Sequence, residues 1–178
     1  MNKKHLWGMA QIGLLVMATT IGARTQAPPC QSFSGVLNAY SPQTTATGPY
    51  EVRGPWSLMI DGETGKATFS AAVNMELSDG WVITRNGSDF DPAARGAHTH
   101  HIRMVADVTE TSEGIQVKGT ATVTLNGSPA PVSPTPLEID ITGGTKVKYS
   151  SINLTFGAPG SMHFGTTPLP GVVQSYKK

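Results

Sequence analysis

Between positions 52 and 156 apolar residues recur at every second position in run after run, and nowhere does the 3.6-residue helical period appear. A period of two marks strands buried on one face. Val52, Trp56, Leu58 and Ile60 share a face with Gly54, and the loop of Asp61, Gly62, Glu63, Thr64 and Gly65 turns the chain back. The return strand points Ala67, Phe69, Ala71, Val73, Met75 and Leu77 inward and Lys66, Thr68, Ser70, Asn74 and Glu76 outward. A short strand is expected over 81–84, then a long polar loop over 85–97. Residues 98–109 pair with 115–125 across Ser112, Glu113 and Gly114, and Asn126-Gly127 ends that hairpin. A proline-rich connector, 128–136, leads to Leu137, Ile139 and Ile141, with Glu138 and Asp140 outward. Thr142, Gly143, Gly144 and Thr145 turn the chain into 147–156, and a last short strand is expected over 171–174.

About seven or eight strands joined by local hairpins make an all-β domain, either a single antiparallel up-and-down barrel or a two-sheet β-sandwich. The inward positions mix small residues, Gly54, Ala67, Ala71, Gly119 and Ala121, with large ones. A strongly coiled barrel uses that mixture to fit its taper, so the barrel is favoured.

Residues 1–27 read as a signal peptide, with Lys3 and Lys4 ahead of the apolar run from Ile12 to Ala18. Cleavage is expected after Ala23 or Ala27, the former preferred because Pro28 would otherwise follow the scissile bond. A retained anchor would need about 20 apolar residues, and Thr19, Thr20 and Gly22 interrupt this run. The mature chain, 28–178, is then a single β domain, secreted or periplasmic, with no transmembrane segment after processing.

Thirteen Lys and Arg against twelve Asp and Glu give a formal charge of +1, and losing Lys3 and Lys4 makes it −1. Such a chain has no basic footprint for nucleic acid. The lone Cys30 cannot form an internal disulfide, and Ala27-Pro28-Pro29 before it does not look like a lipidation signal; it reads as a free thiol.

Of five histidines, His5 lies in the signal segment, and His98, His100 and His101 fall in one run. Strand alternation puts His98 and His100 on the face of Ile102, Met104, Ala106 and Val108, and His101 with Arg103 on the other. Two imidazoles at i and i+2 can reach one ion at about 2.0–2.1 Å, and His163 is the third ligand to consider. Zinc and copper both accept such donors, and Asp89, Asp91 or Asp107 could orient the rings. Two other readings of the same residues compete. One is a polar cluster closing the end of the barrel, bonded to loop carbonyls; the other uses His98 or His100 as a metal-free general base in an apolar cavity.

Other signals have plainer explanations. Gly54-Pro55-Trp56 is similar to the lipocalin GxW, but an inward tryptophan is usually core. The stretch 157–160 is a turn rather than a phosphate loop, no GxSxG elbow is present, and Glu76 with Asp79 or Glu138 with Asp140 are outward acids rather than a glycosidase pair. Sequons occur at Asn86, Asn126 and Asn153.

The segment 54–58, the run His98-Thr99-His100-His101-Ile102, the segment 139–144 and His163-Phe164-Gly165 through to Val173 together resemble an uncharacterised group of secreted bacterial β-rich proteins. That resemblance implies export and a single domain, and carries no activity. By strand count the architecture is also similar to calycin and allene-oxide-cyclase-like barrels. Three functions follow as expectations: a metal-dependent site at the barrel mouth, a non-enzymatic binding protein for a small hydrophobic ligand, or an exported interaction module docking through a sheet edge.

Overall fold

The computed structural model describes residues 29–41, 49–77, 96–143 and 148–178. Its strands are β1 (Gln31–Tyr40), β2 (Tyr50–Ile60), β3 (Lys66–Leu77), β4 (His98–Glu110), β5 (Gly114–Leu125), β6 (Ser128–Pro129), β7 (Thr135–Thr142), β8 (Ser151–Phe156) and β9 (Leu169–Lys177), with a one-turn helix α1 (Ser161–Phe164) between β8 and β9. Neighbouring strands pair antiparallel, β4 pairs β5, and β1 pairs both β2 and β9. Among the described residues eight of the nine strands therefore close into an up-and-down barrel, and β6 is a two-residue flap on the end of β5. Closure excludes the two-sheet sandwich and leaves few unpaired edges, among them the break in the β4–β5 ladder between Arg103 and Val108. No helix among the described residues is long and apolar enough to cross a membrane.

Pattern and burial agree strand by strand. Val52, Trp56, Leu58 and Ile60 on β2, Ala67 to Met75 at alternate positions on β3, and Ile139, Ile141, Ile152 and Leu154 on β7 and β8 are all buried. Trp56, Phe69, Met75, Met104 and Phe156 pack the interior, so the barrel's middle is side chain rather than cavity lining.

The strand at the seam was not anticipated. In β1 the inward positions are Phe33, Gly35, Leu37 and Ala39, two of them small, which mutes the alternation. Gly35 is required there: a Cβ would stand 1.8 Å from the Val172 carbonyl oxygen and 3.1 Å from Trp56 Cε2, at the bulge where β1 meets β9. Other boundaries move as well. The eighth strand begins at Ser151 rather than 147, the last runs Leu169–Lys177 rather than 171–174, and the connector 128–136 contains β6 and the first residues of β7. The strand expected over 81–84 and most of the loop over 85–97 lie outside the described residues, as does the segment 1–27.

Candidate metal centre

The starts of β2, β4, β7 and β9 and the ends of β1, β3, β5 and β8 meet at one end of the barrel, and α1 lies across it. His98 and His100 are the first inward residues of β4, in register with Met75 and Val73 of β3, and His100 also faces Leu125 of β5. Between them Thr99 points outward and is clamped by the β5 turn: its N–H donates to Asn126 Oδ1 at 2.9 Å and its carbonyl accepts from Asn126 N–H at 2.8 Å. Asn126 adopts the left-handed conformation, φ 47°, that its residue type tolerates. The hairpin-ending signal in the sequence thus also fixes the pitch of the two histidines.

His163 comes from α1, which is too short to be stable alone. Tertiary contacts hold it. Thr135, fully buried at the start of β7, accepts the Gly160 N–H on Oγ1 at 2.9 Å and donates that hydroxyl to the Gly157 carbonyl at 2.9 Å. The approach is so close that a Cβ at Gly160 would stand 2.4 Å from Thr135 Oγ1. On the next turn Phe164, fully buried, stacks on Phe156 with centroids 4.2 Å apart. Thr135→Val would strand the Gly160 N–H without an acceptor in a buried place, costing about 1–3 kcal/mol. The expected outcome is a melting temperature lower by several degrees and metal affinity weaker by about tenfold, as for loss of a residue that orients a ligand. Calorimetry and metal titration of the same sample check it.

The three rings converge through one nitrogen each. His163 Nε2 lies 3.1 Å from His98 Nε2 and 3.0 Å from His100 Nε2, and the three ligand atoms all fall within 4.8 Å of one another. The opposite nitrogens are occupied: His98 Nδ1 bonds the Gly96 carbonyl, and His100 Nδ1 bonds the Thr124 carbonyl at 2.8 Å. A carbonyl only accepts, so each of these rings carries a proton on Nδ1, and its neutral form presents a bare lone pair at Nε2. His163 can supply at most one proton at its own Nε2, and two lone pairs face it. A cation at the convergence point satisfies all three. From one ion, bonds of about 2.1 Å to nitrogens 3.0–3.1 Å apart, the two spacings that His163 makes, subtend roughly 91–95°, just above the cis-octahedral angle.

Carbonyls therefore orient the His98 and His100 rings. Asp107 does not: it lies on the outer face of β4, bound to Lys66 at 2.8 Å. Asp89 and Asp91 lie outside the described residues. His101 is exposed on the outer face, as alternation requires.

Burial, foremost, pushes His100 down to about 4, reinforced by the neighbouring His163 and His98 and opposed by the Thr124 bond. Burial and then His98 push His163 down to about 4. Both rings are thus neutral, the form that ligates metal, across the neutral range. For the metal-free protein the sign is definite. Folded rings protonate near 4 and unfolded ones near 6.5, so the unfolded chain binds more protons between those values. The stability that the neutral rings contribute is complete above pH 6.5 and is lost as the pH falls through about 4. Urea unfolding in EDTA should show stability falling over this window by up to about 1.4 kcal/mol per pH unit for each ring, half-buried His163 contributing less. A His163→Gln variant loses part of that slope.

Aromatic rings complete the site, and pattern reasoning missed them. Tyr50 meets His98 edge-on at 5.2 Å and His163 at 5.4 Å, and Phe164 meets His100 at 5.1 Å. Tyr50 opens β2 just ahead of its alternating run, and Phe164 sits in a segment without periodicity, so no strand pattern flagged either. The carbonyls of Gly96 and Thr124 are invisible to any residue-type signal. Beside the triad lies a pocket of about 450 Å³, walled by Tyr50, Leu125, Ala130, Pro131, Val132 and Met162, with Asn126 at its side.

Comparison of the chain with family models, curated proteins and solved structures returns no match. Function is accordingly read from the site.

Proposed function

We propose that this barrel is an exported metalloprotein in which His98, His100 and His163 hold one transition-metal ion, zinc or copper, through their Nε2 atoms. One observation carries the reading: three Nε2 atoms converge while the Nδ1 atoms of His98 and His100 are committed to backbone carbonyls. Carbonyl-bonded rings also suit a cluster that merely closes the barrel, but such a cluster has at most one His163 proton to share between two neutral partners and leaves one lone pair facing it unmatched. A general base without metal would need a partner aimed at a substrate; here the basic nitrogens face each other instead.

Three protein ligands leave a coordination position for water or substrate. An ion held by these three rings would supply Lewis-acid activation of water or, as copper, electron transfer. The chain's own contribution is geometric: β4 spaces two ligands, α1 brings the third, and Tyr50 and Phe164 pack against the rings. Metal analysis of protein prepared without a histidine tag tests the reading. One ion per chain after equilibration and desalting supports it, and no bound zinc or copper under replete conditions refutes it. Export through residues 1–27 rests on Lys3, Lys4 and the apolar run after them, and is checked by the mass of the chain recovered from the periplasm or medium.

A further inference from the structure

We infer that the metal-loaded site binds a small carboxylate with an apolar body, the carboxylate on the ion's open position and the body against the wall formed by Leu125, Val132 and Met162. The inference rests on the three histidines holding an ion, and it adds what that ion would recognise.

Charge comes first. The ligands are neutral imidazoles, and no Asp, Glu, Lys or Arg among the described residues lines the pocket. A divalent ion here brings two positive charges that its protein ligands leave uncompensated, in a site that shields His100 to 2 % exposure. The position opposite the histidines therefore favours an anionic donor over a neutral one. Shape comes second. Apart from the histidines, Asn126 and the phenol of Tyr50 the lining side chains are apolar, and the pocket's volume of about 450 Å³ falls in the range of small-molecule sites. Met162, on the exposed side of α1, is 66 % exposed and extends that apolar surface to the rim. Asn126 supplies a polar end. Its Oδ1 is spent on the Thr99 N–H, so what its side chain has left to offer a ligand in the pocket is the donor amide nitrogen. An inorganic anion would satisfy the charge and waste the wall; a neutral aromatic would do the reverse.

The experiment uses the full domain loaded with Co²⁺, whose visible spectrum reports its coordination, and three probes: benzoate, benzamide and acetate. Benzoate is expected to shift the cobalt bands saturably, acetate to do so at least about tenfold more weakly, and benzamide to leave them unchanged. Met162→Ser and Val132→Ser should each weaken benzoate by about tenfold while the cobalt stoichiometry and the acetate response stay as in the parent. Equal affinity for acetate and benzoate, a benzamide shift equal to that of benzoate, or a cobalt-loaded protein that ignores benzoate would each overturn the inference and leave the metal site standing. Failure to take up cobalt, zinc or copper would overturn both.

Discussion

His100→Ala is expected to lower the affinity of the proposed site for zinc or copper by about 100- to 1000-fold, one ligand's share of the ~10–16 kcal/mol that a full set of protein ligands supplies to a zinc ion. The ring is 2 % exposed, donates from Nδ1 to the Thr124 carbonyl and aims Nε2 at His163, so no neighbour can take its place. His163→Ala gives a loss of the same order, though its ring is half-buried and reached from a different element. His101→Ala is the control. It lies in the same run of sequence, but on the outer face, and should leave affinity unchanged. The measurement is competition against a chelator of known affinity, with circular dichroism confirming that each variant is folded. Parent-like binding by His100→Ala would remove the site from consideration.

Phe164→Ala is expected to reduce both stability and metal binding. A fully buried phenylalanine truncated to alanine costs about 3–5 kcal/mol, which in a domain of this size lowers the melting temperature by roughly 10–15 °C. Because Phe164 anchors α1 through its stack on Phe156, the substitution also loosens His163, its neighbour in the chain. Phe69→Ala separates the two effects. Phe69 is equally buried, but it sits on β3 across from Met104, toward the barrel's middle. It should cost similar stability while the metal-free fold that survives binds zinc as the parent does. Differential scanning calorimetry with and without zinc reads both quantities, and equal affinity losses in the two variants would show that α1 has no special place in the site.

A third consequence bears on pH. Because burial holds His100 and His163 near 4, protons compete for these two ligands only well below neutrality, and the loss of affinity that these two rings account for should set in toward pH 4, as metal titration at stepped pH would read.

Much of the barrel was legible in advance because its strands are half-buried. Burial on one face writes itself into the chain as strict alternation, which is why the inward sets of β2 to β5 and of β7 and β8 could be read residue by residue. Alternation also placed His98 and His100 together and His101 apart. Where glycine and alanine occupy inward positions, as in β1, the contrast fades and the strand that closes the barrel went unread. The choice between barrel and sandwich was likewise open, since it depends on whether β1 finds β9 and β4 finds β5, pairings that leave no trace within either strand.

Local periodicity thus settled the class of fold, the inner face of most strands and the pairing of two histidines, because each of these depends on which way neighbouring side chains point. Whether His163, 63 positions beyond His100, comes within 3.0 Å of it depends on barrel closure, on the Thr135 latch and on Phe164. So does the use of backbone carbonyls, which every residue carries, to hold the His98 and His100 rings. Those are contacts between distant segments, and distance in space is what one-dimensional order does not encode.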